Sequence, residues 1–68
     1  MKIKGYCVTV VDYDYDYYNN YYFDTLYQAW TFYKNTNVFT YDIVSLRKID
    51  NNDIMYSMVS KQNSYKLI

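Results

Sequence analysis

The chain has 68 residues and no net charge, with seven Lys and Arg balanced by seven Asp, and it contains neither His nor Glu. That length allows one domain spanning 1–68, and that composition excludes most acid–base and nucleophilic catalysis, which relies on His or on paired carboxylates of separated pKa. A single cysteine cannot form an intrachain disulfide and, without His, leaves no ligand set for structural zinc.

Taken in order, Ile3 to Val11 is rich in β-branched residues and predicts a strand. Asp12, Asp14 and Asp16 alternate with Tyr13, Tyr15 and Tyr17, which predicts an extended segment with acids on one face and rings on the other. Asn19-Asn20 then reads as a hairpin turn, with Tyr21, Tyr22 and Phe23 as the return strand. Thr25-x-x-Gln28 fits a capping box and opens a helix over about 25–35, with Asp24 beside its positive end. Leu26, Ala29, Trp30 and Tyr33 follow the spacing of a buried stripe, so Trp30 is the expected core anchor, while Tyr27 and Phe32 fall off it. Val38 to Ile49 predicts a strand, Asp50-Asn51-Asn52-Asp53 a turn, and Ile54 to Val59 the returning strand. Tyr65, Leu67 and Ile68 could add an edge strand or dock on a neighbour. The fold class is therefore α+β: a small antiparallel sheet of three to five strands with one helix packed on one face. The other sheet face would be aromatic and uncovered, a feature that implies a partner.

The charge is unevenly spread. Lys2 and Lys4 give residues 1–4 a charge of +2, and Asp12, Asp14, Asp16 and Asp24 give residues 5–33 a charge of −4. Residues 34–68 return to +2. Residues 12–24 thus concentrate acid and ring: six tyrosines, one phenylalanine and four aspartates without a base. Four readings of that stretch compete. Asp at alternate positions opens an EF-hand calcium loop, but such a loop needs Gly at its sixth position and Glu at its twelfth, where Tyr17 and Phe23 stand. An acidic strip can imitate nucleic-acid phosphate in a basic groove. A tyrosine-rich surface suits protein contact, because rigid amphipathic rings supply area at low entropic cost. The plainest reading buries the tyrosines under the chain's own helix and solvates the aspartates, yet one short helix cannot cover every ring. The expected partner-binding residues are Asp12, Tyr13, Asp14, Tyr15, Asp16, Tyr17, Tyr18, Tyr21 and Tyr22, with the acids steering a basic partner protein.

No catalytic set, metal site or cofactor is expected, and with one Gly there is no phosphate-cradling loop. A zero net charge with an acidic half argues against direct nucleic-acid binding. No apolar run approaches a membrane span and no secretory signal opens the chain, so the expectation is a cytoplasmic protein with no membrane partner. For so short a chain without disulfide or metal, self-association is the remaining support, and a homodimer is expected.

The segment Phe23-Asp24-Thr25-Leu26-Tyr27-Gln28-Ala29-Trp30-Thr31-Phe32-Tyr33 resembles the F-D-T-L-x-x-A-x-x-F-Y helix start of many small phage-encoded proteins. The wealth of Tyr, Asn, Lys, Ile and Asp matches A/T-rich coding and a low-GC genome. The resemblance implies an early product of a phage of Gram-positive bacteria, a group rich in small anti-defence inhibitors such as anti-CRISPR proteins, acting in the bacterial host cell by stoichiometric binding. The expected function is thus a non-enzymatic inhibitor of a host defence protein. The alternatives are a self-associating structural protein, or a binder of a small ligand such as a nucleotide signal at a dimer seam.

Overall fold

The β-branched run Val8-Thr9-Val10-Val11 is the centre of the structure, because β1 (Tyr6–Asp12) is flanked by a strand on each side. In chain order it is followed by β2 (Tyr17–Phe23), α1 (Leu26–Asn35), β3 (Ile43–Ile49) and β4 (Met55–Gln62). The computed structural model describes residues 5–38 and 41–62. The four strands form one antiparallel sheet in the order β2-β1-β3-β4. Two hairpins, β1–β2 and β3–β4, are thus joined through the central β1–β3 pair, and α1 makes the connection across one face. The predicted class, an antiparallel sheet with one helix on one face, is the fold observed.

Four predicted features change. Residues 12–17 are not one continuous strand, and Asn19-Asn20 is not a turn: the hairpin reverses at Tyr13–Asp16, between the last residue of β1 and the first of β2, while both asparagines lie within β2. The third strand begins at Ile43 rather than Val38, and the fourth continues to Gln62. Ile3, Phe39, Tyr65, Leu67 and Ile68 lie outside the described residues.

Registration decides what each face carries. Val8 lies between Tyr21 and Leu46, and Val10 between Asn19 and Val44, so these residues share the helix-facing side. Val8, Val10, Val44 and Leu46 are buried there against Ala29 and Tyr33 of α1, with Tyr6, Tyr21, Phe23 and Phe32 around them. Phe32 packs on Tyr21 and Phe23, at ring-centroid distances of 4.8 and 5.3 Å. The packed helix stripe is therefore Ala29 and Tyr33, both buried, with the half-buried Phe32. Trp30, the expected anchor, is 40% exposed and stacks on Tyr33 at its margin. The cause is lateral: α1 lies over β1, β2 and β3 and stops short of β4, so its packed side turns towards Phe32.

The other face carries Cys7, Thr9, Val11, Tyr18, Asn20, Tyr22, Ser45 and Arg47, by the alternation of the strands. Cys7 and Thr9 are nonetheless buried on the central strand: the larger Tyr22 and Arg47 flank Cys7, and Asn20 and Ser45 flank Thr9. Thr9 donates its hydroxyl to Asn20 Oδ1 at 2.7 Å, a cross-strand bond that explains how Asn20 fits in a strand.

Both helix ends are satisfied. Gln28 N–H donates to Thr25 Oγ1 at 3.2 Å and Thr25 N–H to Gln28 Oε1 at 3.3 Å, which completes the predicted capping box. At the other end Thr36 N–H donates to the carbonyls of Phe32 and Tyr33. Lys61 reaches across from β4, donating to Tyr33 O at 2.8 Å with its ammonium 4.6 Å from the centre of that ring.

The β3–β4 turn is built on Asp50. Its Oδ1 accepts from Asn52 and Ile54 N–H, each at 2.9 Å, and its Oδ2 accepts from the Tyr56 hydroxyl at 3.2 Å. Asp53 closes the turn with a φ of 62°. These bonds, the Ile54 N–H foremost, hold the Asp50 carboxyl below its ordinary value of 3.8. A folded pKa below the unfolded one means that the contribution to stability is present above the ordinary value and is lost as pH falls through the depressed value. An NMR titration should find the Asp50 midpoint below 3.8, with the turn amides of Asn52 and Ile54 losing protection through the same pH range. A midpoint at or above the ordinary value would refute this turn.

Candidate partner-binding surface

The tip of the β1–β2 hairpin is an aspartate-built turn. Asp14 N–H donates to Asp12 Oδ1 at 3.1 Å, a local side-chain turn typical of Asp, and Asp16 N–H donates to Tyr13 O at 3.4 Å. Asp16 has a φ of 52°, a left-handed backbone that Asp tolerates better than a β-branched residue would. The turn is tied to the sheet from the side. Asp42, just ahead of β3, accepts from Tyr13 N–H through Oδ2 at 2.6 Å, and its own N–H donates to Val11 O at 2.8 Å. Asp42 is buried at 2% exposure, so this tether lies in a shielded place where a charge-assisted bond is strong.

The nine predicted contact residues divide into groups. Tyr13, Asp14, Tyr15 and Asp16 are exposed at the tip, with Tyr15 reaching 83%. Tyr18 and Tyr22 stand on the sheet face away from the helix, about 13 Å apart along β2. Tyr17 is at the border. It stacks on Tyr41 at 5.9 Å and shares a 3.2 Å hydroxyl contact with Tyr21, while Asn19 Nδ2 donates to Tyr17 Oη. That shared bond raises the Tyr17 hydroxyl and lowers that of Tyr21 from their ordinary range. Asp12 is buried, 6% exposed at the end of β1, and Tyr21 is half-buried, with its ring in the layer beneath α1. The acids therefore do not form one face of a strand, and Asp14 and Asp16 alone remain outward in the turn.

A second surface was not predicted. Between the first turns of α1 and β4 lies an apolar groove of about 560 Å³, lined by Leu26, Tyr27, Trp30, Leu46, Met58 and Val59. It exists because the helix stops short of β4. Its signal in the sequence was the pair Met58-Val59, two adjacent apolar residues where a strand alternates. Its lining offers no charged side chain to a phosphate-bearing ligand. Among the described residues, no group of three or more Cys or Asp side chains is placed to hold a metal ion. Also among them, no helix is long and apolar enough to cross a membrane. Comparison with known protein families, with curated proteins and with solved structures finds no match.

Proposed function

We propose that this chain is a non-enzymatic binding protein that inhibits a partner protein by occupying a basic surface on it. The observation that carries this reading is the pairing of display with anchorage. Tyr13 and Tyr15 project from a turn that Asp12 and Asp42 hold in one conformation, so rings meet a partner with little left to order. Tyr18 and Tyr22 continue the contact onto the uncovered sheet face, and Asp14 and Asp16 supply the charge that steers a basic partner. The resemblance of residues 23–33 to small phage proteins makes a bacterial defence component the partner class to test first.

Tagged protein in a lysate of a low-GC Gram-positive host should retain one stoichiometric protein. Combined Tyr13→Ser, Tyr15→Ser and Tyr18→Ser should lose it at least about a hundredfold while the circular dichroism spectrum stays that of the parent, since anchoring aromatics dominate interface energy. Asp14→Asn with Asp16→Asn should mainly slow association, and less so at high salt. Retention of the partner by the triple tyrosine variant would rule out this surface.

A further inference from the structure

Besides the hairpin tip, the apolar groove and the strand beside it form a second surface of opposite character. Among the described residues β4 is an edge of the sheet, so one row of its backbone N–H and C=O groups faces outward there. Natural edges of this kind are guarded by charge, proline or a bulge; Met55-Tyr56-Ser57-Met58-Val59-Ser60 has neither charge nor proline, and a bulge is its one irregularity. The next residue, Lys61, is turned inward to Tyr33. The register of β3 against β4 shifts between Leu46 and Arg47, which leaves Met58 as an extra residue on β4. Met58 and Val59 consequently both line the groove, opposite Leu26, Tyr27 and Trp30.

We propose that this face is the seam of a homodimer in which β4 pairs antiparallel with β4 of a second copy about a two-fold axis, closing the groove of each. Three observations select a second copy as the occupant. The first is area: Leu26, Tyr27, Trp30, Ile54, Tyr56, Met58 and Val59 are each between 37% and 78% exposed. Together they present roughly 700–800 Å², about what one side of a stable interface contributes. The second is charge. None of these seven side chains is charged, so the face can meet itself without repulsion, whereas two hairpin tips would oppose Asp14 and Asp16 to their own copies. The third is geometry: an antiparallel edge is self-complementary about a two-fold axis, and the pairing carries the second copy's Tyr56, Met58 and Val59 to the mouth of the groove beneath Tyr27 and Trp30. The seam uses residues outside the hairpin tip, so each surface can fail without the other.

Sedimentation equilibrium from low to high micromolar concentration tests the seam. The parent chain should approach twice its 8.4 kDa mass. Met58→Glu, which would set two carboxylates against each other at the axis, should weaken the dimer at least about a hundredfold. Tyr27→Lys, on an exposed helix position whose change leaves the fold intact, should weaken it at least about tenfold and covers the case in which Met58→Glu does not fold. The triple tyrosine variant of the hairpin should dimerise like the parent. A parent that stays monomeric throughout overturns the proposal, as does a dimer indifferent to Tyr27→Lys or one abolished by the hairpin changes.

Discussion

Leu46→Ala should bring the chain to the edge of unfolding at 25 °C. Leu46 is fully buried, registered between Val8 of β1 and Val59 of β4, and it forms the floor of the groove beside the helix. Truncating such a leucine costs about 2–5 kcal/mol, from lost transfer energy and the cavity left behind. A single core in a chain of this size supplies only about 3–5 kcal/mol in all. The substitution therefore consumes most of the margin. Urea titration followed by far-ultraviolet circular dichroism and Trp30 fluorescence should show a midpoint near zero denaturant. A cooperative transition close to that of the parent would mean that this residue does not hold helix and sheet together.

Asp42→Ala should have the second largest effect, and it separates position from contact. Loss of the carboxylate orphans Tyr13 N–H and frees the hairpin tip, at a cost of about 2 kcal/mol for a hydrogen bond to a buried charged acceptor. Asp42→Asn keeps an acceptor and should cost on the order of 1 kcal/mol. Hydrogen exchange at Tyr13 and Asp14 should accelerate in the alanine variant far more than exchange in β3. Affinity for the proposed partner should fall at least about tenfold, although a residue so deeply buried cannot touch it, because a freed tip must then be ordered on binding. Unchanged exchange at the tip would show that the turn is self-sufficient and that Asp42 is only a packing residue.

The helix was legible because its signals were local: the Thr25 and Gln28 side chains bond to the backbone within one turn, and nothing distant is needed to read them. The β3–β4 turn was legible for the same reason, since Asp50 bonds to its own neighbours. The first hairpin was misread because alternation of Asp and Tyr has the period of a strand, while the energy of those aspartates lies in turn chemistry. Asp12 bonds the backbone two residues on, and Asp16 takes a left-handed conformation. Asn20, in turn, looked like a loop residue, and only the opposing Thr9 hydroxyl shows why a strand accepts it. Trp30 was misplaced because a helical stripe gives the apolar side but not which strands the helix covers. That depends on the order β2-β1-β3-β4, a long-range property. Within the segment expected to make contact, the sequence could not tell Tyr15, which is displayed, from Tyr21, which is packed against Phe32.

The burial of Cys7 makes the chain its own folding clock. The thiol is the single cysteine of the sequence, sits on the central strand and has no exposed surface between Tyr22 and Arg47. A thiol reagent reaches it only when the middle of the sheet opens, so the labelling rate, set against that of the denatured chain, reads the free energy of that opening under native conditions. The same sulfur can therefore report on every variant described above in one assay, without denaturant and without an engineered cysteine.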